Sequence, residues 1–138
     1  IINLFGEIQQ KQNIAYLFIT HDLLTVRYIA HQIAVMYLGH IVESAETEEL
    51  YNRPLHPYTK ALLSSIYVPD PDVKSDRIPL KGEVPSSVNI PSGCPFRTRC
   101  PYAADACAES VPKLEDIGGG HRVACIRRRE IGGAENAE

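Results

Sequence analysis

The sequence predicts an α/β fold: the end of a layered domain, followed by a small, mostly irregular, cysteine-rich extension. Three observations predict it. Two amphipathic helical segments alternate with short apolar runs before residue 45, the chain beyond turns to short helices and prolines, and the last third holds all four cysteines. The hydrophobic share of 44% and the charged share of 22% are typical of a globular protein and exclude a wholly disordered one.

The first elements follow from hydrophobic spacing. The opening segment has apolar residues at helical spacing, namely Ile1, Leu4, Phe5 and Ile8. The continuous apolar run over 14–20, "IAYLFIT", predicts a strand buried on both faces of a parallel sheet. Asp22 is placed to cap a second helix, which begins at Leu23.

A hairpin is predicted next. The run "IAVMYL" over 33–38 predicts a strand, with Met36 and Tyr37 in the core. Gly39 allows a turn into a further strand, "HIVES". The order of helix, strand, helix and strand indicates the end of an α/β layered domain.

Beyond Ala45 the composition changes. "ETEELYNRP" predicts a short helix that stops at Pro54, and "HPYTKALLSSI" predicts another with Pro57 in its first turn. The segment 68–92 carries five of the ten prolines and is predicted to be extended. Four parts result: 1–45 as the end of the layered domain, 46–92 as a helical then proline-rich extension, 93–127 as a four-cysteine metal-binding segment, and 128–138 as a flexible tail.

Charge and hydropathy exclude several classes of function. The net charge is −3, and seven Lys and Arg balance seven Asp and Glu over 94–138, so a nucleic-acid module is disfavoured. The longest apolar run has six residues, far short of a membrane span. No signal-peptide pattern is present, and Ile1 resembles a mid-chain residue, so we expect a piece of a longer protein.

His21 is the first functional candidate. It follows the first predicted strand, and in open α/β sheets ligands bind beyond the carboxyl ends of the strands. The helix after it offers free amides to an anion, and a histidine there can hydrogen-bond a phosphate oxygen. The alternative is that His21 is a turn residue and Asp22 only a cap.

The four cysteines are spaced C-x5-C-x6-C-x17-C, at Cys94, Cys100, Cys107 and Cys125. Structural zinc sites usually contain close pairs such as C-x2-C, which this chain lacks. A [4Fe–4S] cluster accommodates longer ligand loops, since each of its four irons needs one thiolate. Zinc, and free thiols or disulfides without metal, stay open. His121 is either an alternative zinc ligand, a donor to a ligand sulfur or a surface residue.

Three stretches together resemble one family. "YLFITHDLLTVRYIAHQIAVMYLGHIVES" resembles the switch-histidine segment of ABC-transporter ATPases, which are P-loop NTPases. "YNRPLHPYTKALLSSI" and "GEVPSSVNIPSGCPFRTRCPYAADACAESVPKL", with "HRVAC" after it, resemble the extension and the cysteine-containing region of the oligopeptide and dipeptide importer branch. The three occur in the family's order.

The resemblance implies a function and its residues. His21 would contact the γ-phosphate of ATP, bound with Mg²⁺, and help to hold the attacking water and the catalytic carboxylate. Some members of the branch carry an iron–sulfur cluster at the four cysteines. The implied partners are a second ATPase subunit, two membrane permeases and an extracytoplasmic peptide-binding protein. The subunit would lie at the cytoplasmic face of the membrane as a peripheral protein that energises the import of di- or oligopeptides.

The chain departs from the family in what it lacks. It has no G-x-x-x-x-G-K-[ST] phosphate loop, no Ser-Gly-Gly signature and no apolar strand ending in Asp-Glu. We therefore expect this chain alone to be inactive and a full-length parent to hydrolyse ATP. Two alternatives stay open: a free-standing metal-binding interaction module, and an ABC ATPase for another solute such as nickel. The sequence specifies neither the peptides nor whether the subunit pairs with itself or a paralogue.

Overall fold

A computed structural model of the chain describes residues 2–66 and 77–131. The elements, in chain order, are α1 (Ile2–Gln12), α2 (Leu23–Ile29), β1 (Gln32–Tyr37), β2 (His40–Glu46), α3 (Thr47–Asn52), α4 (Pro57–Ser64), α5 (Ala106–Glu109), β3 (Glu115–Asp116), β4 (Arg122–Val123) and α6 (Arg128–Ile131). The described part is therefore a small mixed α/β fold.

The predicted helices near the start of the chain are confirmed. α1 spans the segment with helical apolar spacing, and α2 begins at Leu23. Asp22 caps α2 as predicted, because its Oδ1 accepts hydrogen bonds from the amides of Leu24 at 3.1 Å and Thr25 at 3.3 Å. Neither helix contains a buried residue.

The predicted buried strand over 14–20 is wrong for the described residues. This segment forms neither helix nor strand, and the side chains of Leu17 and Ile19 are 90% and 94% exposed. The sheet of the described chain has the order β1-β2-β4-β3, and its pairs are antiparallel rather than parallel. A strand needs neighbours for its backbone hydrogen bonds, and this sheet supplies none to the segment.

The predicted hairpin is confirmed. β1 and β2 pair so that Tyr37 lies opposite His40, which leaves a two-residue turn at Leu38 and Gly39. Both turn residues have positive φ, 46° and 80°, as a type I′ turn requires. The tight turn explains why two short strands meet without a longer loop.

Side chains of β1 alternate between the core and solvent, as expected for a strand. The pairing with β2 shifts register between Val35 and Met36, and the alternation continues across that point. Val35 and Tyr37 are buried, whereas Met36 is 57% exposed. The predicted core position of Tyr37 is confirmed, and that of Met36 is wrong.

The core lies between the hairpin, α3, α4 and the cysteine-containing region. Leu50 of α3 and Phe96 are 1% and 0% exposed. The ring of Phe96 lies 5.2 Å from that of Tyr37 and 5.3 Å from that of Tyr58 on α4. These edge-to-face and tilted contacts are the favourable geometries for aromatic pairs, so Phe96 fastens the cysteine-containing region to the hairpin.

Two short strands near the end of the described chain extend the sheet. β4 pairs with β2, with Glu43 opposite Val123, and the amide of Ala124 donates to the carbonyl of Val42 at 2.8 Å. β3 pairs with β4 at the edge of the sheet. Residues 77–92, predicted to be extended, contain neither helix nor strand and bend at 82, 87–89 and 92. The rest of the proline-rich prediction (68–76) and most of the predicted tail (132–138) lie outside the described residues. None of the described helices has the length and apolarity to cross a membrane.

Candidate functional sites

His21 lies in an exposed bend directly before α2. The residues on either side of it are fixed by local hydrogen bonds. The amide of Asp22 donates to the hydroxyl of Thr20 at 3.0 Å, and the hydroxyl of Thr25 donates to the Asp22 carboxylate at 2.5 Å. The bond from Thr25 is the main cause that lowers the pKa of Asp22. The loop therefore presents an exposed imidazole from a held backbone.

The first turn of α2 offers less to an anion than the sequence predicted. Asp22 already accepts from the amides of Leu24 and Thr25. Those two donors are not free for a phosphate, so the prediction of open helix amides is wrong for them. The exposed side chain of His21 is available at this bend for a phosphate oxygen.

The structure brings the four cysteines to one place. Cys107 belongs to α5, and Cys94, Cys100 and Cys125 lie in the turns around it. All four side chains line a single small cavity of about 20 Å³. All four are free thiols in the described chain.

A glycine allows the first cysteine to approach the third. The amide of Cys94 donates to the carbonyl of Cys107 at 2.7 Å. Gly93, just before it, has φ of +67°, and a Cβ at that position would lie 2.3 Å from the same carbonyl oxygen. Only glycine fits this close approach, so the backbone itself specifies the convergence.

The cavity favours neutral thiols. Burial is the main cause that raises the pKa of Cys94 and of Cys100, and it raises that of Cys125 to about 11. The neighbouring cysteines add to this, because thiolates close together repel. A cation or cluster bound among them would have to displace these protons, as metal binding to cysteine generally does.

The donor set suits a soft metal or an iron–sulfur cluster, but the observed geometry does not form a finished site. Four sulfurs around one cavity are the ligand number of both tetrahedral zinc and a [4Fe–4S] cluster. Among residues 2–66 and 77–131, however, no three or more His, Cys, Asp or Glu side chains are arranged to hold a metal ion. The cavity is also only large enough for a water-sized occupant.

His121 belongs to a different cluster, which the sequence did not indicate. It is 1% exposed, and its two ring nitrogens lie against two carboxylates. Nε2 is 2.8 Å from Glu43 Oε1, and Nδ1 is 3.1 Å from Glu49 Oε1. Both ring nitrogens of His121 therefore face carboxylate oxygens, which accept hydrogen bonds. The contact with His121 is the main cause that lowers the pKa of Glu49.

Glu43 is the centre of this cluster. Its side chain is completely buried in β2, where it also accepts from the amide of Leu55 at 2.7 Å and that of His56 at 3.0 Å. A buried carboxylate needs such donors to offset the loss of hydration. Glu43 thus joins the hairpin, the turn before α4 and the loop that carries His121.

His56 is a second buried histidine, 1% exposed. Its Nδ1 accepts from the amide of Tyr58 at 3.1 Å and so caps α4, with Pro57 at the first helical position. Burial lowers its pKa to about 4, which keeps the ring neutral and able to accept. The His-Pro pair before an apolar helical segment was a usable signal for this cap, whereas nothing local in the sequence pairs His121 with Glu43.

Comparison with known proteins gives matches along nearly the whole chain. The family model described as the C-terminal region of oligopeptide/dipeptide transporters matches residues 42–107. A putative peptide import ATP-binding protein of Brucella ovis is 54% identical over 127 residues, which is 92% of this chain and 40% of the relative. From Bacillus subtilis, the putative oligopeptide transport ATP-binding protein YkfD is 55% identical, and the oligopeptide transport ATP-binding protein AppF 50% identical, each over 91% of this chain and 39% of the relative.

The relatives agree with one another in the function that their names state and in the share of their length that is matched. The chain spans about 40% of the length of the curated relatives. The match includes the His21 bend and the hairpin as well as the cysteine-containing region, since it covers over nine-tenths of the chain. Residues 42–107 therefore match the C-terminal region of oligopeptide/dipeptide transporters, and the chain as a whole is similar to peptide and oligopeptide import or transport ATP-binding proteins.

Proposed function

We propose that this chain is part of an ATP-binding and ATP-hydrolysing subunit that energises the import of di- or oligopeptides from the cytoplasmic face of the cell membrane. The names of the matched relatives support this function, because they are described as peptide or oligopeptide import or transport ATP-binding proteins. They favour peptide over nickel as the solute, and they disfavour a free-standing metal-binding module.

Within that subunit, His21 is proposed to contact the γ-phosphate of ATP. The supporting observation is its placement: an exposed imidazole on a bend whose flanking residues, Thr20 and Asp22, are held by hydrogen bonds. An imidazole can donate to a phosphate oxygen and, by its position, help to align the attacking water. Preorganisation of this kind lowers the barrier because the group needs no rearrangement as charge moves.

The remaining machinery comes from residues that this chain does not contain. A phosphate loop, a Mg²⁺ ion and a catalytic carboxylate supply the main stabilisation of charge in phosphoryl transfer. We therefore expect the 138-residue chain alone to show no ATP hydrolysis. The proposed partners are a second ATPase subunit that completes the nucleotide site, two membrane permeases and an extracytoplasmic peptide-binding protein.

The test compares two exposed histidines in the full-length subunit. We expect His21→Ala to lower kcat for ATP hydrolysis by about a hundredfold or more, because it removes a group that acts in the transition state, while ATP binding is retained. His40→Ala is the matched control, since His40 is exposed at the start of β2, and it is expected to leave kcat unchanged. Full activity of the His21→Ala variant would contradict the proposed role.

The four cysteines support a second proposal, a metal centre on Cys94, Cys100, Cys107 and Cys125. We propose a [4Fe–4S] cluster, with zinc as the alternative. The observation that favours it is that all four thiols line one cavity, although the cavity must widen to admit a cluster. Such a centre would supply crosslinks between turns and so stabilise a region with little regular structure.

Anaerobic purification followed by metal and sulfide analysis tests the metal centre. About four iron and four sulfide per chain, lost in a Cys100→Ser variant, would support the cluster. About one zinc per chain would support the structural alternative. Neither metal in the anaerobically purified full-length subunit would refute both.

A further inference from the structure

Helix α2, which follows His21, is fastened to α3 at both of its ends. At the start of α2, the carbonyl of Leu23 accepts a hydrogen bond from the hydroxyl of Tyr51. At its end, the carbonyl of Ala30 accepts from the hydroxyl of Thr47 at 2.5 Å, and the carbonyl of His31 accepts from the amide of Thr47 at 3.0 Å. Hydrogen bonds from α3 therefore hold both ends of α2.

The middle of α2 is attached to the same helix. The guanidinium of Arg27 lies over the ring of Tyr51, 4.9 Å from its centroid. The same group binds the carboxylate of Glu48 at 3.2 and 3.4 Å. Tyr51 thus contacts α2 twice, through its ring and through its hydroxyl.

These polar contacts matter because burial does not position α2. The helix has seven residues and none of them is buried in the described chain. By contrast, the Tyr51 hydroxyl reaches α2 from a partly buried side chain on α3, whose Leu50 is in the core. Only one residue, Asp22, separates the carbonyl that Tyr51 holds from His21. A change at Tyr51 is therefore transmitted to His21 over a very short stretch of backbone.

We propose that Tyr51 is a positioning residue for ATP hydrolysis, which fixes His21 relative to the γ-phosphate by donating to the carbonyl of Leu23. This inference rests on the proposed function of His21. Misplacement of a positioned group by a fraction of an ångström lowers the rate of the chemical step more than it weakens substrate binding. Loss of the hydroxyl should hence appear in kcat and not in KM.

The first test uses Tyr51→Phe in the full-length subunit. The variant keeps the ring under Arg27 and removes only the hydroxyl. We expect kcat to fall about three- to tenfold, as befits one hydrogen bond, with KM for ATP within about twofold of the parent. Tyr28→Phe is the matched control, because the Tyr28 hydroxyl lies on α2 itself, is exposed and meets Asn3 at 3.3 Å. It is expected to change neither constant.

A double-mutant cycle with His21→Ala separates positioning from a general structural effect. If Tyr51 acts through His21, Tyr51→Phe causes no further loss of kcat in the His21→Ala background. Losses that multiply would overturn the inference, as would an unchanged kcat for Tyr51→Phe in a subunit that His21→Ala inactivates. If His21→Ala itself leaves kcat unchanged, the proposed function fails first. Unfolding midpoints are measured for each variant, and rates are compared well below them.

Discussion

Two parts of the described chain are held in place in different ways: the N-terminal segment, residues 2–30, and the packed region, residues 32–66 and 77–131. Around the hairpin, α3, α4 and the cysteine-containing region, large side chains are enclosed: Leu50 is 1% exposed, and Phe96 and Val123 are fully buried. Over residues 2–30, neither helix has a buried residue, and Leu17 and Ile19 are almost fully exposed. The N-terminal segment is attached by polar contacts such as that between Tyr51 and Leu23, whereas the packed region is held together by a core.

The exposed apolar side chains of the N-terminal segment indicate how this segment could gain stability. Burying a leucine or isoleucine side chain is worth roughly 1.5–3 kcal/mol, and the run over 14–20 leaves that energy unused in this chain. An exposed apolar run is typical of a surface that contacts another domain or protein, which agrees with the proposed nucleotide-binding domain longer than this chain. The packed region differs because it encloses Leu50, Phe96 and Val123 and so has a core of its own.

The largest expected effect comes from the buried cluster of Glu43 and His121, which connects elements of the packed region. Glu43→Ala leaves the His121 ring and the amides of Leu55 and His56 without their acceptor. Because each buried donor that loses its acceptor costs about 1–3 kcal/mol, we expect a loss of about 3–5 kcal/mol in the free energy of unfolding, measured with denaturant. Glu46→Ala, an exposed change on the same strand, serves as the control and is expected to stay within about 0.5 kcal/mol of the parent. Equal effects of the two changes would disprove the role of Glu43.

A pair of leucines tests the difference in burial between the N-terminal segment and the packed region. Leu50→Ala is expected to cost about 2–5 kcal/mol, because it opens a cavity in the core. In the 138-residue chain, Leu17→Ala is expected to cost less than about 0.5 kcal/mol, since that side chain is 90% exposed. In the full-length subunit, the account predicts that Leu17→Ala approaches the cost of Leu50→Ala. Similar costs for the two leucines in the short chain would show that the two parts are not held in different ways.

The smallest expected effect is a pH dependence from His56. Its pKa is about 4 in the folded chain and about 6.5 when unfolded, so the unfolded state binds a proton first as the pH falls. Stability is therefore complete above about pH 6.5 and declines towards pH 4, with a loss of about 2 kcal/mol at pH 5. Unfolding by denaturant at a series of pH values measures this.

His56→Asn provides the control for the pH effect. Asparagine can cap α4 but does not titrate, so this contribution to the pH dependence is expected to vanish while most of the stability at pH 7.5 remains. An unchanged profile in this variant would assign the pH dependence to other groups.

Local signals in the sequence predicted much of the fold. The Asp22 cap, the turn at Gly39 and the start of α4 at Pro57 each depend on residues a few positions apart, and each is confirmed. The pairing of Glu43 with Val123 and with His121 joins residues about eighty positions apart, and two-residue strands have no periodicity to detect. These features arise from tertiary packing, so the sequence alone did not reveal them.

The error at 14–20 has a different physical reason. Its composition is typical of a buried strand, but a strand forms only where a neighbouring strand accepts and donates its hydrogen bonds. Composition does not tell whether such a neighbouring strand is present, and in the described chain none pairs with this segment. The roles of His21 and of the four cysteines are likewise predictions that await the experiments above.

Hydrogen exchange distinguishes the N-terminal segment, which we propose is completed by a larger ATPase domain, from the packed region, which has a core of its own. Amide exchange would be compared between the 138-residue chain and the full-length subunit. We expect the Ala124 amide, bonded to Val42, to be protected in both, whereas amides over 14–20 exchange freely in the short chain and at least about a hundredfold more slowly in the full-length subunit. Slow exchange over 14–20 in the short chain, or free exchange there in the full-length subunit, would contradict this expectation.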